Sequence, residues 1–320
     1  MSAVSPRSTR MVRLLTRTAT ATMLLLGCGL PIAVTAQTPG EHPLCATSSA
    51  AGYPVVTHTT LAGVPAILRV PEHIRKPPVV LWHGFGPPAS EEAMMEALPL
   101  DDVDAVKVYL GLPLFGARAP AGGNKELARR QSEDVGLQVF KPVVAGAGDE
   151  LPGVVAALQS GACMTKGGAI DLVGFSAGGA AALYALSQGG VHVAAAVLIN
   201  TSTGLSASVQ AYEHATHQTY AWSPASRELA QKTDAAGRVA DIAGAHPALL
   251  FVTGTADKVI DTDAIADVYK KLKPYYRNDD ARLQWKAMPD MPHQWAADPQ
   301  SLASIRQATG EWLKGSSTPQ

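Results

Sequence analysis

The sequence predicts an α/β fold in which about eight mostly parallel strands carry helices on both faces. Three observations predict it. Apolar, strand-like runs alternate with helix-forming stretches over most of the chain, and that alternation is how parallel strands are joined, each through a crossover helix. The pentapeptide Gly174-Phe175-Ser176-Ala177-Gly178 stands between the β-like run Ala169-Ile170-Asp171-Leu172-Val173 and the helix-forming run 180–186, so Ser176 occupies a sharp strand-to-helix turn. Beyond the first 36 residues about 280 remain, without internal repeats or a low-complexity linker, which suits one large core.

The elements follow in chain order. Arg7, Arg10, Arg13 and Arg17 precede an apolar stretch at 23–30 and the small residues Val34 and Ala36, the layout of a secretory signal peptide cut between Ala36 and Gln37. Met11 is an alternative start. A competing reading takes Leu25-Leu26-Gly27-Cys28 as a lipobox, with Cys28 lipidated and anchoring the chain to a membrane. The expected organisation is a signal peptide at 1–36 and a catalytic domain at 37–320, in the periplasm or secreted. Cys45 and Cys163 are then the two cysteines left in an oxidising compartment, where an even count points to a disulfide. Two separate thiols are the alternative.

Strands are expected at 55–60 and 65–70, close enough for an antiparallel hairpin around Ala62-Gly63, and then at 79–82, 105–110, 169–173, 193–199, 248–253 and 282–288. Helices are expected near 91–98, 125–139, 178–187, 262–272 and 301–313. The segment 201–244 is long for a connection and is expected to form a small, partly helical cap. Sheets of this kind bind ligands outside the carboxyl ends of their strands, so the loops that follow the strands are where chemistry is sought.

Four such loops carry it. Small residues at 174, 178 and 179 permit the tight turn that lifts the Ser176 oxygen clear of the sheet. After strand 248–253 comes Gly254-Thr255-Ala256-Asp257, where Asp257 is placed to orient an imidazole. Asp261 and Asp263 are rivals, but they suit the start of the next helix, as caps and dipole partners. The last strand leads into Pro292-His293-Gln294-Trp295, and His293 completes the chain order serine, acid, histidine of one known triad arrangement. After strand 79–82, His83-Gly84-Phe85-Gly86 forms a glycine-bearing turn whose Phe85 amide, with that of Ala177, would hold an oxyanion. His83 itself is expected to brace that turn.

With these motifs in view, the chain resembles the α/β-hydrolases, particularly small single-domain esterases related to dienelactone hydrolases and to the catalytic domain of prolyl oligopeptidases. The resemblance covers about 55–313. A dienelactone hydrolase would place cysteine at the nucleophile, so Ser176 favours a serine esterase. The resemblance implies an exported hydrolase of carboxylic esters working through Ser176, His293 and Asp257 and an acyl-enzyme. A small peptidase or an acyltransferase is the enzymatic alternative, and a non-catalytic binding protein is the rival from another class.

Phe85, Phe115, Phe175 and Trp295, with aromatic residues of the 201–244 segment such as Tyr212 and Trp222, are candidates for an aromatic substrate pocket. Arg118, in the loop after strand 105–110, is expected to be structural. The net charge of −1, from 26 basic and 27 acidic residues dispersed along the chain, argues against nucleic acid and anionic membrane surfaces as partners and favours a small neutral or apolar one, which the resemblance makes a small-molecule ester. No metal-ligand spacing and no phosphate-binding glycine loop is present, so no metal and no cofactor is expected.

Overall fold

The computed structural model describes residues 44, 45 and 52–316. The expected signal peptide and Cys28 lie outside the described residues. Eight strands form a single sheet in the order β1-β2-β4-β3-β5-β6-β7-β8. They are β1 (Val55–Leu61), β2 (Val64–Val70), β3 (Val79–Trp82), β4 (Lys107–Leu110), β5 (Ile170–Phe175), β6 (Val193–Ile199), β7 (Ala248–Gly254) and β8 (Leu283–Met288). The pair β1/β2 is a hairpin closed by Ala62 and Gly63, both at positive φ, as an inverse two-residue turn requires. β2 pairs antiparallel with β4; every pair from β4 through β8 is parallel. This is the α/β-hydrolase fold.

Parallel strands must be covered on both faces, and alternate residues supply the two covers. On one face Val79, Leu81, Val173, Val197 and Leu250 pack with Met94 of α1 (Glu91–Ala97) and with Ile305 and Leu313 of α9 (Pro299–Ser316). On the other, Val80, Trp82, Leu172 and Phe251 pack beneath the remaining helices. These are α2 (Gly123–Asp134), α3 (Gly146–Ser160), α4 (Ala177–Gln188), α5 (Leu205–Thr216), α6 (Pro224–Thr233), α7 (Val239–Ala243) and α8 (Thr262–Leu272). Helices α5, α6 and α7 all fall within 201–244. None of the helices among the described residues is long and apolar enough to cross a membrane.

The structure departs from the sequence expectation between β4 and β5. Instead of one helix over 125–139, α2 ends at Asp134, whose backbone is extended and whose carboxylate accepts the Leu137 N–H at 2.8 Å. A π-helical segment, Val135–Ala145, follows, and Pro142 lies inside it. Proline has no N–H to donate to the preceding turn and its ring crowds that turn's carbonyl, so a wider winding accommodates it. Helix α3 then continues to Ser160, although Gly146, Gly148, Pro152 and Gly153 give it low intrinsic propensity. Packing overrides that propensity: a Cβ at Gly148 would stand 2.5 Å from the Tyr184 ring of α4.

The end of α3 is tied to the start of the described chain by the Cys45–Cys163 disulfide, which spans 118 residues, and by the Cys45 N–H donated to Gly161 at 3.1 Å. Removing the cross-link frees a long loop in the unfolded chain. Cys163→Ser is expected to lower unfolding free energy by up to about 5 kcal/mol, read as a lower urea midpoint with a somewhat steeper slope, because the unbridged unfolded chain is less compact. Dithiothreitol should lower the wild-type midpoint by a similar amount and leave the variant unmoved.

Candidate active site

The site stands at the carboxyl ends of β5, β7 and β8. Ser176 joins β5 to α4 with φ 53° and ψ −113°, a region that L-residues enter only when surroundings enforce it. Here the enforcement is steric. A Cβ at Gly178 would overlap the carbonyl oxygens of Trp82 and His83, and one at Gly174 would overlap the Gly178 carbonyl. Helix and strands therefore approach as closely as backbone allows, and the turn between them has one available shape.

From this turn the Ser176 hydroxyl reaches the His293 ring, with Oγ 3.1 Å from Nε2. The other ring nitrogen, Nδ1, lies 2.8 Å from Asp257 Oδ2. An ionised carboxylate only accepts hydrogen bonds, so Nδ1 carries the proton and Nε2 is left to accept from the serine hydroxyl. Asp257 is itself held: its Oδ1 accepts the N–H groups of Val259 at 2.8 Å and Ile260 at 3.1 Å. The side chains of His293 and Asp257 are only 10% and 2% exposed, which keeps water from competing for the pair. Asp261 accepts the Asp263 N–H and caps α8, and Asp263 lies in that helix's first turn.

His83 has a different environment. It is fully buried, Nδ1 donates to the Gly84 carbonyl at 2.8 Å, and Nε2 accepts the Leu112 N–H at 3.2 Å. Both nitrogens are thus engaged by backbone, and burial pushes its pKa down to about 4. A neutral ring with no free nitrogen braces the turn that bears Phe85. That turn is further closed by the Gly84 N–H donated to Pro88 at 3.1 Å. The Phe85 N–H donates to no acceptor among the described residues. The Ala177 N–H lies in the first turn of α4, where helix geometry leaves donors without an intrahelical acceptor.

Against Ser176 and Ala177 opens a cavity of about 280 Å³, lined chiefly by Phe85, Val135, Phe140, Leu205, Val209, Tyr212, Val259 and Ile260. Of the aromatic residues expected there on sequence grounds, Phe85 and Tyr212 line it and Phe115, Phe175, Trp222 and Trp295 do not. Phe175 and Trp295 are fully buried, edge to face at 5.8 Å, and Phe175 lies against the His293 ring at 5.2 Å. They back the histidine from inside the core, because the side chain preceding Ser176 points into the sheet. Phe115 stacks on the Phe85 ring at 4.9 Å, supporting a wall it does not form. Trp222 packs on Tyr220 at 5.1 Å and beneath Arg227, away from the serine. Arg118 makes a bidentate pair with Glu150 at 2.6 and 2.8 Å.

Besides Phe85 and Tyr212, which the sequence offers for such a pocket, the walls come from three places, one being Val259 and Ile260 in the loop after β7. Val135 and Phe140 belong to the π-helical segment, whose apolar residues resemble any core stretch, and Leu205, Val209 and Tyr212 share one face of α5 through their i, i+4 and i+7 spacing. That helical spacing was the available signal. Among the described residues no group of three or more His, Cys, Asp or Glu side chains is arranged to hold a metal ion.

The sequence pattern of the prolyl oligopeptidase family matches residues 147–318. Among solved structures the chain is similar to TT1662 from Thermus thermophilus, with 19% identity and a TM-score of 0.61 over 82% of this chain and 98% of that one. It is similar also to an esterase from Pyrococcus furiosus, with 16% identity and a TM-score of 0.54 over 82% of this chain and 90% of that one. A dienelactone hydrolase from Anabaena variabilis shows 16% identity and a TM-score of 0.51, over 83% and 99%. These likenesses are of fold. No curated protein matches the sequence at a significant level.

The environment of His83 has a consequence for stability. Its folded pKa, about 4, lies below the ordinary 6.5, so the unfolded chain binds a proton that the folded chain refuses. The stability contribution is whole above pH 6.5 and is lost as the pH falls toward 4, by about 3 kcal/mol in all. Urea melts between these limits should show stability falling with acidity, and His83→Gln should flatten that slope while lowering the plateau at neutral pH.

Proposed function

The chain belongs to the prolyl oligopeptidase family, and on that premise we propose that it is an exported serine hydrolase that cleaves carboxylic esters. One observation carries the chemistry: the unbroken relay from Asp257 Oδ2 through His293 to Ser176 Oγ, with steps of 2.8 and 3.1 Å. In this reading Ser176 Oγ attacks the ester carbonyl and its proton passes to His293 Nε2. Asp257 keeps the imidazole in the required tautomer and stabilises the imidazolium that forms. The negative oxygen of the tetrahedral intermediate is held by the amides of Phe85 and Ala177, each donor contributing about 3 kcal/mol. Collapse breaks the bond to the alcohol oxygen, which takes the proton back from His293 and leaves. Water, deprotonated by the same histidine, then attacks the acyl-enzyme and frees the acid and Ser176.

The cavity supports an ester with an apolar group of moderate size. Its walls carry no Asp, Glu, Lys or Arg, so a charged substituent placed there would lose hydration with no counter-ion to offset the loss. The segment 201–244, which supplies Leu205, Val209 and Tyr212 to those walls, is read as the cap that selects the substrate. Export is supported by the disulfide, which belongs to oxidising compartments, together with the leader-like N-terminus. Family membership favours a second reading, a small peptidase with the same nucleophile and base.

A fluorophosphonate probe should label the folded protein at Ser176 and fail to label Ser176→Ala. Turnover of p-nitrophenyl esters should drop by at least about a thousandfold in Ser176→Ala and in His293→Ala, with circular dichroism unchanged. Acyl chains of increasing length, tested beside matching p-nitroanilides, separate the two readings. Faster cleavage of anilides than of esters would turn the assignment to a peptidase, and an unlabelled Ser176 would remove the serine-hydrolase assignment.

A further inference from the structure

Residues 199–202, where β6 ends, touch the backbone of every loop in the relay. The Ser176 N–H donates to the Ile199 carbonyl at 3.0 Å, and the Ser202 N–H donates to the Ser176 carbonyl at 3.2 Å. Between them stands Asn200, 1% exposed and at φ 41°. Its N–H donates to Val252 of β7 at 2.8 Å. Its side chain reaches further. Oδ1 accepts the Gly254 N–H at 2.8 Å, and Nδ2 donates to the carbonyls of Pro292 at 3.1 Å and of His293 at 3.2 Å.

We propose that Asn200 is a positioning residue that sets the spacing between Ser176 and His293. The proposal rests on reading those two residues as nucleophile and base. Its physical ground is the strand order. β7 lies between β6 and β8, so no sheet hydrogen bond joins β6 to the strand that delivers His293. The carboxamide spans that gap, gripping the backbone of His293 itself and the residue that opens the Asp257 loop. Asp257 in turn donates its N–H to the Gly254 carbonyl at 3.2 Å. Asn200 thereby ties the acid and base segments together, and its neighbours Ile199 and Ser202 hold the serine segment beside them.

The side chain has to be an amide. A carboxylate of the same size has no donor for two carbonyl oxygens and would face them with a negative charge. A hydrocarbon would leave the buried Gly254 N–H and two half-buried carbonyls without this partner. The backbone angle adds a second constraint, since asparagine enters the left-handed region more readily than most residues with a Cβ.

Two variants test this. Asn200→Gly removes the grip while tolerating the backbone angle, and Asn200→Asp preserves size while removing the donors. Active sites are counted by exhaustive titration with a fluorophosphonate, and kcat per titrated site, KM for a neutral p-nitrophenyl ester and the melting temperature are measured. A misplaced base should lower kcat per site by about 10- to 100-fold and leave KM within about twofold. A merely structural role would lower the melting temperature and the titratable fraction and leave kcat per site as in the wild type. Either variant, folded and with wild-type kcat per site, overturns the proposal. Hydrogen exchange at the Gly254 amide of the wild-type protein is a second measurement that needs no variant to fold. Strong protection is expected, and exchange at the rate of a free loop overturns the clamp. Failure of the wild type to label at Ser176 is a separate result, which removes the hydrolase reading and this proposal with it.

Discussion

The close approach of Gly178 to the carbonyls of Trp82 and His83 is the contact from which the site is built. It brings the first turn of α4 against the end of β3 with no side chain between them, and two results follow. The backbone at Ser176 is forced into a strained conformation that presents its oxygen above the sheet. The turn after β3 is brought beside the serine, so the Phe85 and Ala177 amides come from two different elements held at one backbone contact. A methyl group at Gly178 would push the Ser176 turn away from the turn after β3.

The protein uses two histidines in opposite electrostatic ways. His83 is sealed among backbone groups, and desolvation keeps it neutral. His293 faces a carboxylate that can stabilise positive charge and a hydroxyl that can release a proton. Both follow a parallel strand and both are near Ser176 in space. Their partners separate them: Nε2 of one is occupied by a backbone donor, and Nε2 of the other is open to the serine.

The walls over the serine are assembled from segments whose local sequence favours them weakly. The π-helical stretch around Pro142 places Val135 and Phe140 on one side, and α5 places Val209 and Tyr212 on another. The residues with the greatest apolar mass near the site, Phe175 and Trp295, are instead spent inside the core, where they fix the back of the His293 ring. The spacing of Ser176, His293 and Asp257 and the shape of the cavity are therefore set by different layers: the sheet and its buried aromatics for the first, the helices above the strand ends for the second.

Strand count, the mostly parallel sheet implied by alternation, the hairpin at Ala62-Gly63 and the residues Ser176, Asp257 and His293 that the fold brings together were all legible in the sequence. These features are written in short windows, because strand and turn propensities act locally and chain order places loops at known strand ends. The sequence also pointed to Cys45 and Cys163, although pairing across 118 residues needed the fold. What surrounds these residues depends on the folded chain. Whether Phe175 faces the cavity or the core, whether Gly148 ends a helix or admits the Tyr184 ring, and whether Asn200 caps a strand or bridges the Gly254 and His293 segments all depend on residues distant in sequence. Burial and hydrogen-bond partnership are properties of three-dimensional neighbours, and a side chain's own sequence window does not contain them.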